Sequence, residues 1–187
     1  VQDLEALLAH LAITRAHLVG QSMGGWAVMG FALKHPERVR SLVLADTIAG
    51  VFTPEAVRAG ESALRRSGPD QLPITQHPGL SDALGARDPA KAFLYRQIGG
   101  PSPAGMREKL YQTSYALDDI RRIRFPVLLI VGADDQTFPP AAIHSVAAKI
   151  RGATVVVLPD AGHSPYFETP NAWNEVDMNF LGSVTQP

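Results

Sequence analysis

Four apolar runs, each far too short to cross a membrane and each bounded by turn residues, limit what this chain can fold into. They are AHLVG (Ala16 to Gly20), VRSLVLAD (Val39 to Asp46), FPVLLIVG (Phe125 to Gly132) and ATVVVLP (Ala153 to Pro159). They are apolar nearly throughout rather than alternating, which is the pattern of strands covered on both faces. Helical patterns lie between them. VQDLEALLAHL opens the chain with Leu4, Leu7, Leu8 and Leu11 at helical spacing and Asp3 and Glu5 off that stripe. GGWAVMGFALKHP reads as a helix stopped before Pro36. Pro140 begins another, carrying Ile143, Val146, Ala147 and Ile150 and ending at Gly152; Thr169-Pro170 begins a last one, with Trp173, Val176 and Phe180 on one face. Strands alternating with helices imply parallel pairing through crossovers, hence an α/β fold built on a mostly parallel, doubly wound sheet.

Between the second and third runs the alternation lapses. Thr53-Pro54, Asp88-Pro89 and Ser102-Pro103 are helix starts, each a capping side chain followed by proline. Gly99-Gly100 closes the middle piece, and SGPDQLP and TQHPGL are rich in turn residues. No strand-like run occurs there. The expected organisation is a core part over 1–52, a helical lid over 53–118 and a second core part over 119–187.

Composition excludes several classes. There is no cysteine among the 187 residues, so disulfides, thiolate metal sites and a cysteine nucleophile are ruled out. Formal charge is −1 and the longest basic cluster, RRIR at Arg121 to Arg124, leads directly into a strand, so no nucleic-acid partner is expected. No stretch has membrane-spanning length, so no membrane partner is expected either. With nothing resembling a signal peptide, the expected location is the cytoplasm.

The chemistry centres on GQSMGG, Gly20 to Gly25. Ser22 stands between glycines two positions before and after it, where a strand gives way to a helix. A sharp turn there lifts the hydroxyl above the sheet and leaves no room for side chains at Gly20 and Gly24. A serine needs a base within hydrogen-bond reach, a third group to orient that base, and donors aimed at the oxyanion it creates. VGADDQTFPP places Asp134 and Asp135 just beyond the third run, where parallel sheets put their sites, although paired aspartates also cap loops. LPDAGHSPYFETP places His163 after the fourth run. The chain order is serine, acid, histidine. His10, His17, His35, His77 and His144 read as ordinary surface or cap histidines.

HLVGQSMGGW, HPERVRSLVLAD, FPVLLIVGADDQTFPP and LPDAGHSPYFETP, taken together and in this order, resemble the lidded α/β-hydrolases. The resemblance covers nearly the whole chain apart from the lid. It implies Ser22 as nucleophile, His163 as base, and an acid three residues after the glycine ending its strand, hence Asp135, with Asp46 as the fallback used by some relatives. It implies an oxyanion donor in the backbone N–H of Met23, and no metal or organic cofactor. A serine in place of the aspartate of dehalogenases and epoxide hydrolases turns the expectation toward acyl transfer.

The expected activity is hydrolysis of a small carboxylic ester or lactone through an acyl-enzyme. The alternatives are a carbon–carbon hydrolase of ring-cleavage products, a cofactor-free haloperoxidase or perhydrolase, and a non-catalytic binding module. Trp26, Phe93, Tyr95, Tyr111 and Tyr115, with Met106, are candidates to line the substrate pocket; Arg58, Arg96 and Arg107 are candidates to hold a substrate carboxylate. Because the chain opens in the helix before the Ser22 strand, the resemblance implies that earlier strands and the second oxyanion donor lie outside it. The expectation is that these residues taken alone are nearly inactive and prone to associate.

Overall fold

A computed structural model describes residues 1–64, 72–98 and 113–185. Its centre is a four-stranded parallel sheet in the order β1 (Ala16–Gln21), β2 (Val39–Ala45), β3 (Val127–Gly132), β4 (Thr154–Leu158). All four correspond to the apolar runs of the sequence. Register puts their carboxyl ends at one side of the sheet: Gln21 pairs with Ala45, Ala45 with Ile130, and β3 runs on to Gly132, which pairs with Leu158. The residues that follow each strand therefore emerge at one edge of the sheet, which is what brings distant parts of the sequence together.

Two-residue periodicity divides the strands between two apolar layers. Leu42, Leu44, Leu129 and Val131 face α2 (Met23–Lys34) and α7 (Pro140–Ala147), packing with Met29, Phe31, Ile143 and Val146. Val43, Ala45, Leu128 and Ile130 face the opposite way, toward Trp173, Val176 and Phe180 of α9 (Pro170–Thr185). The sheet is thus covered by helices on both faces. Each fully buried side chain of this kind contributes about 1.5–3 kcal/mol by leaving water. The first helix, α1 (Gln2–His10), departs from its expected stripe. Leu4 and Leu8 pack on the core, but Leu7 and Leu11 are 52% and 55% exposed. Its contact is with α2, and one helix can cover only the Leu4–Leu8 strip.

Among the described residues of 53–118 there are helices and no strand: α3 (Pro54–Leu64), α4 (Asp82–Arg87), α5 (Pro89–Ile98) and the first residues of α6 (Leu117–Arg121). Two starts work as their sequences suggest. Thr53 Oγ1 accepts the Ala56 N–H at 3.1 Å, and Asp88 Oδ1 accepts the Lys91 N–H at 2.9 Å. Ser102-Pro103 and Gly99-Gly100 lie outside the described residues. A short helix, α8 (Pro165–Glu168), separates His163 from α9; the sequence reading passed over it, although Ser164-Pro165 has the same form as the other starts. No described helix is long and apolar enough to cross a membrane.

Candidate active site

β1 delivers the chain to a sharp turn. The Ser22 N–H still donates to the Ala45 carbonyl of β2 at 2.9 Å, yet its φ of 47° and ψ of −118° redirect the backbone into α2 at once. A non-glycine residue at such a φ costs on the order of 1 kcal/mol or more and persists only where flanking structure holds it. Met23 is the first residue of α2, so its N–H has no intrahelical acceptor.

The glycines serve the turn differently from the sequence reading. A Cβ on Gly20 would stand 2.4 Å from Val28 Cγ2 and 2.8 Å from the Gly24 carbonyl oxygen, so glycine is required there. A Cβ on Gly24 would meet nothing within 4 Å, so the expectation of no room at Gly24 is corrected. The crowded position is the next one. A Cβ on Gly25 would lie 2.4 Å from Thr47 Oγ1, because α2 leans against the chain leaving β2 rather than back onto its own turn.

Three side chains meet over the carboxyl ends of the strands. His163 Nε2 is 2.8 Å from Ser22 Oγ, and His163 Nδ1 is 2.9 Å from Asp135 Oδ2. An ionised carboxylate only accepts, so Nδ1 carries the hydrogen and Nε2 offers its lone pair to the serine O–H. Asp135 is buried, and its Oδ1 accepts the N–H groups of Thr137 at 2.7 Å and Phe138 at 3.0 Å. Asp134 takes no part: it is exposed, and its N–H donates to the Ala161 carbonyl at 2.9 Å.

The loop bearing His163 is tied down by groups that, apart from Tyr95, the sequence did not single out. Gln21 Nε2 donates to the His163 carbonyl at 2.8 Å. Glu168 Oε1 accepts the Gly162 N–H at 2.8 Å, and its Oε2 accepts the N–H and O–H of Ser81 at 2.9 and 2.6 Å. Lys91 Nζ donates to the Glu168 carbonyl at 3.1 Å, and the Tyr95 hydroxyl lies 2.7 Å from Ser164 Oγ. Burial pushes the Tyr95 phenol up to about 12, so it stays neutral in that contact. Gln21 could have been noticed as the neighbour of Ser22. Ser81 could not, because its contact spans 87 positions.

Asp46, the fallback acid, follows β2 at a φ of 49°. The imidazole bonds to Asp135 and not to Asp46. Asp46 Oδ1 accepts the Gly132 N–H at 3.0 Å, while its buried Oδ2 has no hydrogen-bond partner. Burial, and then the neighbouring Asp135 carboxylate, hold the Asp46 carboxyl well above the usual carboxylate range. One oxygen or ring-nitrogen atom from each of Asp46, Asp135 and His163 falls within 4.8 Å of the others. Within this trio His163 Nδ1 and Asp135 Oδ2 are joined to each other.

The aromatic candidates are distributed unevenly. Trp26 is buried; its indole N–H donates to the Thr113 carbonyl at 3.1 Å, and its carbonyl accepts the Tyr115 hydroxyl at 2.8 Å. Trp26 also stands 6.2 Å from the ring of Phe138, which in turn is 5.9 Å from the imidazole of His163. Phe138 had not been marked in the sequence. Phe93 is 44% exposed on α5. Tyr111, Met106 and Arg107 lie outside the described residues. Arg58 pairs with Glu55 at 2.9 Å, and Arg96 donates to the Leu72 and Pro73 carbonyls at 3.1 Å.

Comparison with known proteins places this geometry in context. A family model described as the alpha/beta hydrolase family matches residues 1–176. RutD of Caulobacter sp. (strain K31), described as a candidate carbamate hydrolase, is 30% identical over 199 aligned residues covering 96% of this chain and 70% of that protein. BpoC of Mycobacterium tuberculosis (strain ATCC 25618 / H37Rv), described as a candidate non-heme bromoperoxidase, is 33% identical over 98% of this chain and 74% of its own length. Among solved structures, a thermophilic esterase from Thermogutta terrifontis with malate bound superposes with a TM-score of 0.79 at 28% identity, covering 98% of this chain and 71% of that one.

Proposed function

Because this chain belongs to the alpha/beta hydrolase family, a family of hydrolytic enzymes, we propose that it cleaves a small carboxylic ester or lactone through an acyl-enzyme on Ser22. The observation that carries this reading is the single imidazole bridging Ser22 Oγ at 2.8 Å and Asp135 Oδ2 at 2.9 Å. His163 Nε2 takes the hydroxyl proton as Ser22 Oγ adds to the substrate carbonyl carbon. Asp135 fixes the tautomer and stabilises the imidazolium. The Met23 N–H, at the amino end of α2, stabilises the oxyanion. As the tetrahedral species collapses, the imidazolium returns its proton to the leaving alkoxide. Water then attacks the acyl carbon with His163 again as base, releasing the acid and restoring the Ser22 hydroxyl.

Residues 53–118 act in this reading as a lid that sets which substrates reach Ser22. The similarity to an esterase at 28% identity supports the ester side of the proposal. Trp26 and Phe138 form the apolar wall leading to His163, and Phe93 is available on the lid side. The ring of Tyr95 and that of Tyr115 contribute a face only, since both hydroxyls are engaged. The test, made on the full-length protein, is a fluorophosphonate label together with a panel of p-nitrophenyl esters and lactones. The expected result is labelling and turnover that vanish in Ser22→Ala, with kcat falling about 10⁴-fold or more. A silent panel beside fast peroxide-dependent halogenation would overturn it.

A further inference from the structure

The carboxyl ends of the strands hold three buried carboxyl groups, and the donors around them are shared unequally. Asp135 receives Thr137 N–H, Phe138 N–H and His163 Nδ1–H. Glu168 receives Ser81 N–H, Ser81 O–H and Gly162 N–H. Asp46 is fully buried and receives one donor, the Gly132 N–H, on Oδ1; its Oδ2 has none. A buried anion is tolerated where donors compensate for lost water, so Asp135 and Glu168 meet the condition and Asp46 does not. An Asp46 oxygen lies within 4.8 Å of both an Asp135 oxygen and a His163 ring nitrogen. Two carboxyl groups so close share one proton more readily than they carry two charges.

We propose that Asp46 is a protonated acid whose Oδ2–H hydrogen-bonds to the Asp135 carboxylate, making Asp46 a positioning residue for the Ser22–His163–Asp135 relay. The proton stays on Asp46 throughout turnover; no bond to it is made or broken. Its work is to give Asp135 a further donor, which holds the carboxylate in the rotamer that meets Nδ1 and spreads its charge. The raised Asp46 carboxyl agrees with this, with burial and the Asp135 charge as its main causes and Glu168 as a lesser one. The charged or titratable groups facing it are Asp135, Glu168 and His163. The positioning role rests on the acyl-transfer reading above; the protonation of Asp46 does not.

Carbon-13 NMR on aspartate-labelled protein, with the Asp46 carboxyl signal identified by its loss in Asp46→Asn, tests the proton directly. The expected signal is that of a protonated acid at neutral pH; a carboxylate signal there would overturn the proposal. The role is read from kcat/KM against pH. Asp46→Leu removes the donor, so Asp135 holds the imidazolium more strongly. The acid limb should then move to higher pH and kcat/KM fall about tenfold or more, the worth of a hydrogen bond to a charged group. Asp46→Asn keeps an acceptor for Gly132 and a donor for Asp135, and should restore both. An Asn variant that fails to restore them, or whose acid limb moves to lower pH as loss of a negative charge would dictate, overturns the role. If Asp46→Leu does not fold, the Asn profile and the carboxyl signal decide. Full-length wild-type protein that neither labels at Ser22 nor turns over esters defeats the acyl-transfer reading, while the carboxyl signal still decides the protonation.

Discussion

At the scale of single residues, the turn at Ser22 makes opposite demands on two glycines that look alike in the sequence. At Gly20 an added methyl would meet Val28 and the Gly24 carbonyl at 2.4 and 2.8 Å, so β1 or α2 must shift. Gly20→Ala is expected to destabilise by about 1–3 kcal/mol. Gly24 sits within α2 with open space above it, so Gly24→Ala is expected to be neutral or to stabilise by up to about 1 kcal/mol through helix propensity. Chemical denaturation of the two variants checks the contrast; equal losses would remove the steric account of the turn. Asp135→Asn belongs at the same scale. An amide nitrogen toward Nδ1 would favour the wrong tautomer, and kcat is expected to fall about 10⁴-fold with little change in folding.

At the scale of elements, the described helices between β2 and β3 are joined to the His163 loop through Glu168. One carboxylate gathers Ser81 on the α4 side and Gly162 on the loop side, and α5 adds Lys91 and Tyr95. The loop that carries the imidazole and the helical segment above it are therefore one hydrogen-bonded unit. Glu168→Gln turns an acceptor-only group into one whose amide confronts donors. It is expected to cost about 1–3 kcal/mol and to raise hydrogen exchange first in residues 72–98 and 160–164. Exchange that rises uniformly over the sheet instead would separate Glu168 from this coupling.

At the scale of the whole molecule, pH acts through Asp46. A carboxyl held protonated in the fold but free to ionise when unfolded adds nothing at acid pH, where both states bind the proton. As pH rises past the ordinary carboxylate range the unfolded state loses its proton and the native state does not, so stability declines until the native group ionises. Asp46→Asn has no such penalty. Its advantage over the wild type is expected to be absent near the unfolded carboxyl's range and to grow by up to about 1.4 kcal/mol per pH unit above it. Asp177, also raised by burial, titrates in both proteins and cancels in the difference.

The strand runs, the alternation and the order serine, acid, histidine were legible in the string because each depends on local chemistry: apolar patterning, turn residues, a hydroxyl among glycines. The resemblance carried Asp135 ahead of Asp134; in the fold the first is buried and the second exposed. What required the folded molecule was everything set by register and close approach. Gly25 rather than Gly24 is crowded because α2 leans on Thr47, a neighbour only in space. Glu168 and Ser81 meet across 87 positions, and Asp46 stands beside Asp135 because β2, ending opposite Ile130, and β3, running on to Gly132, open at the same edge of one sheet. Local sequence determined which groups could react. Only the alignment of parallel strands decided which of them share a dry, crowded space, and so which carboxyl keeps its proton.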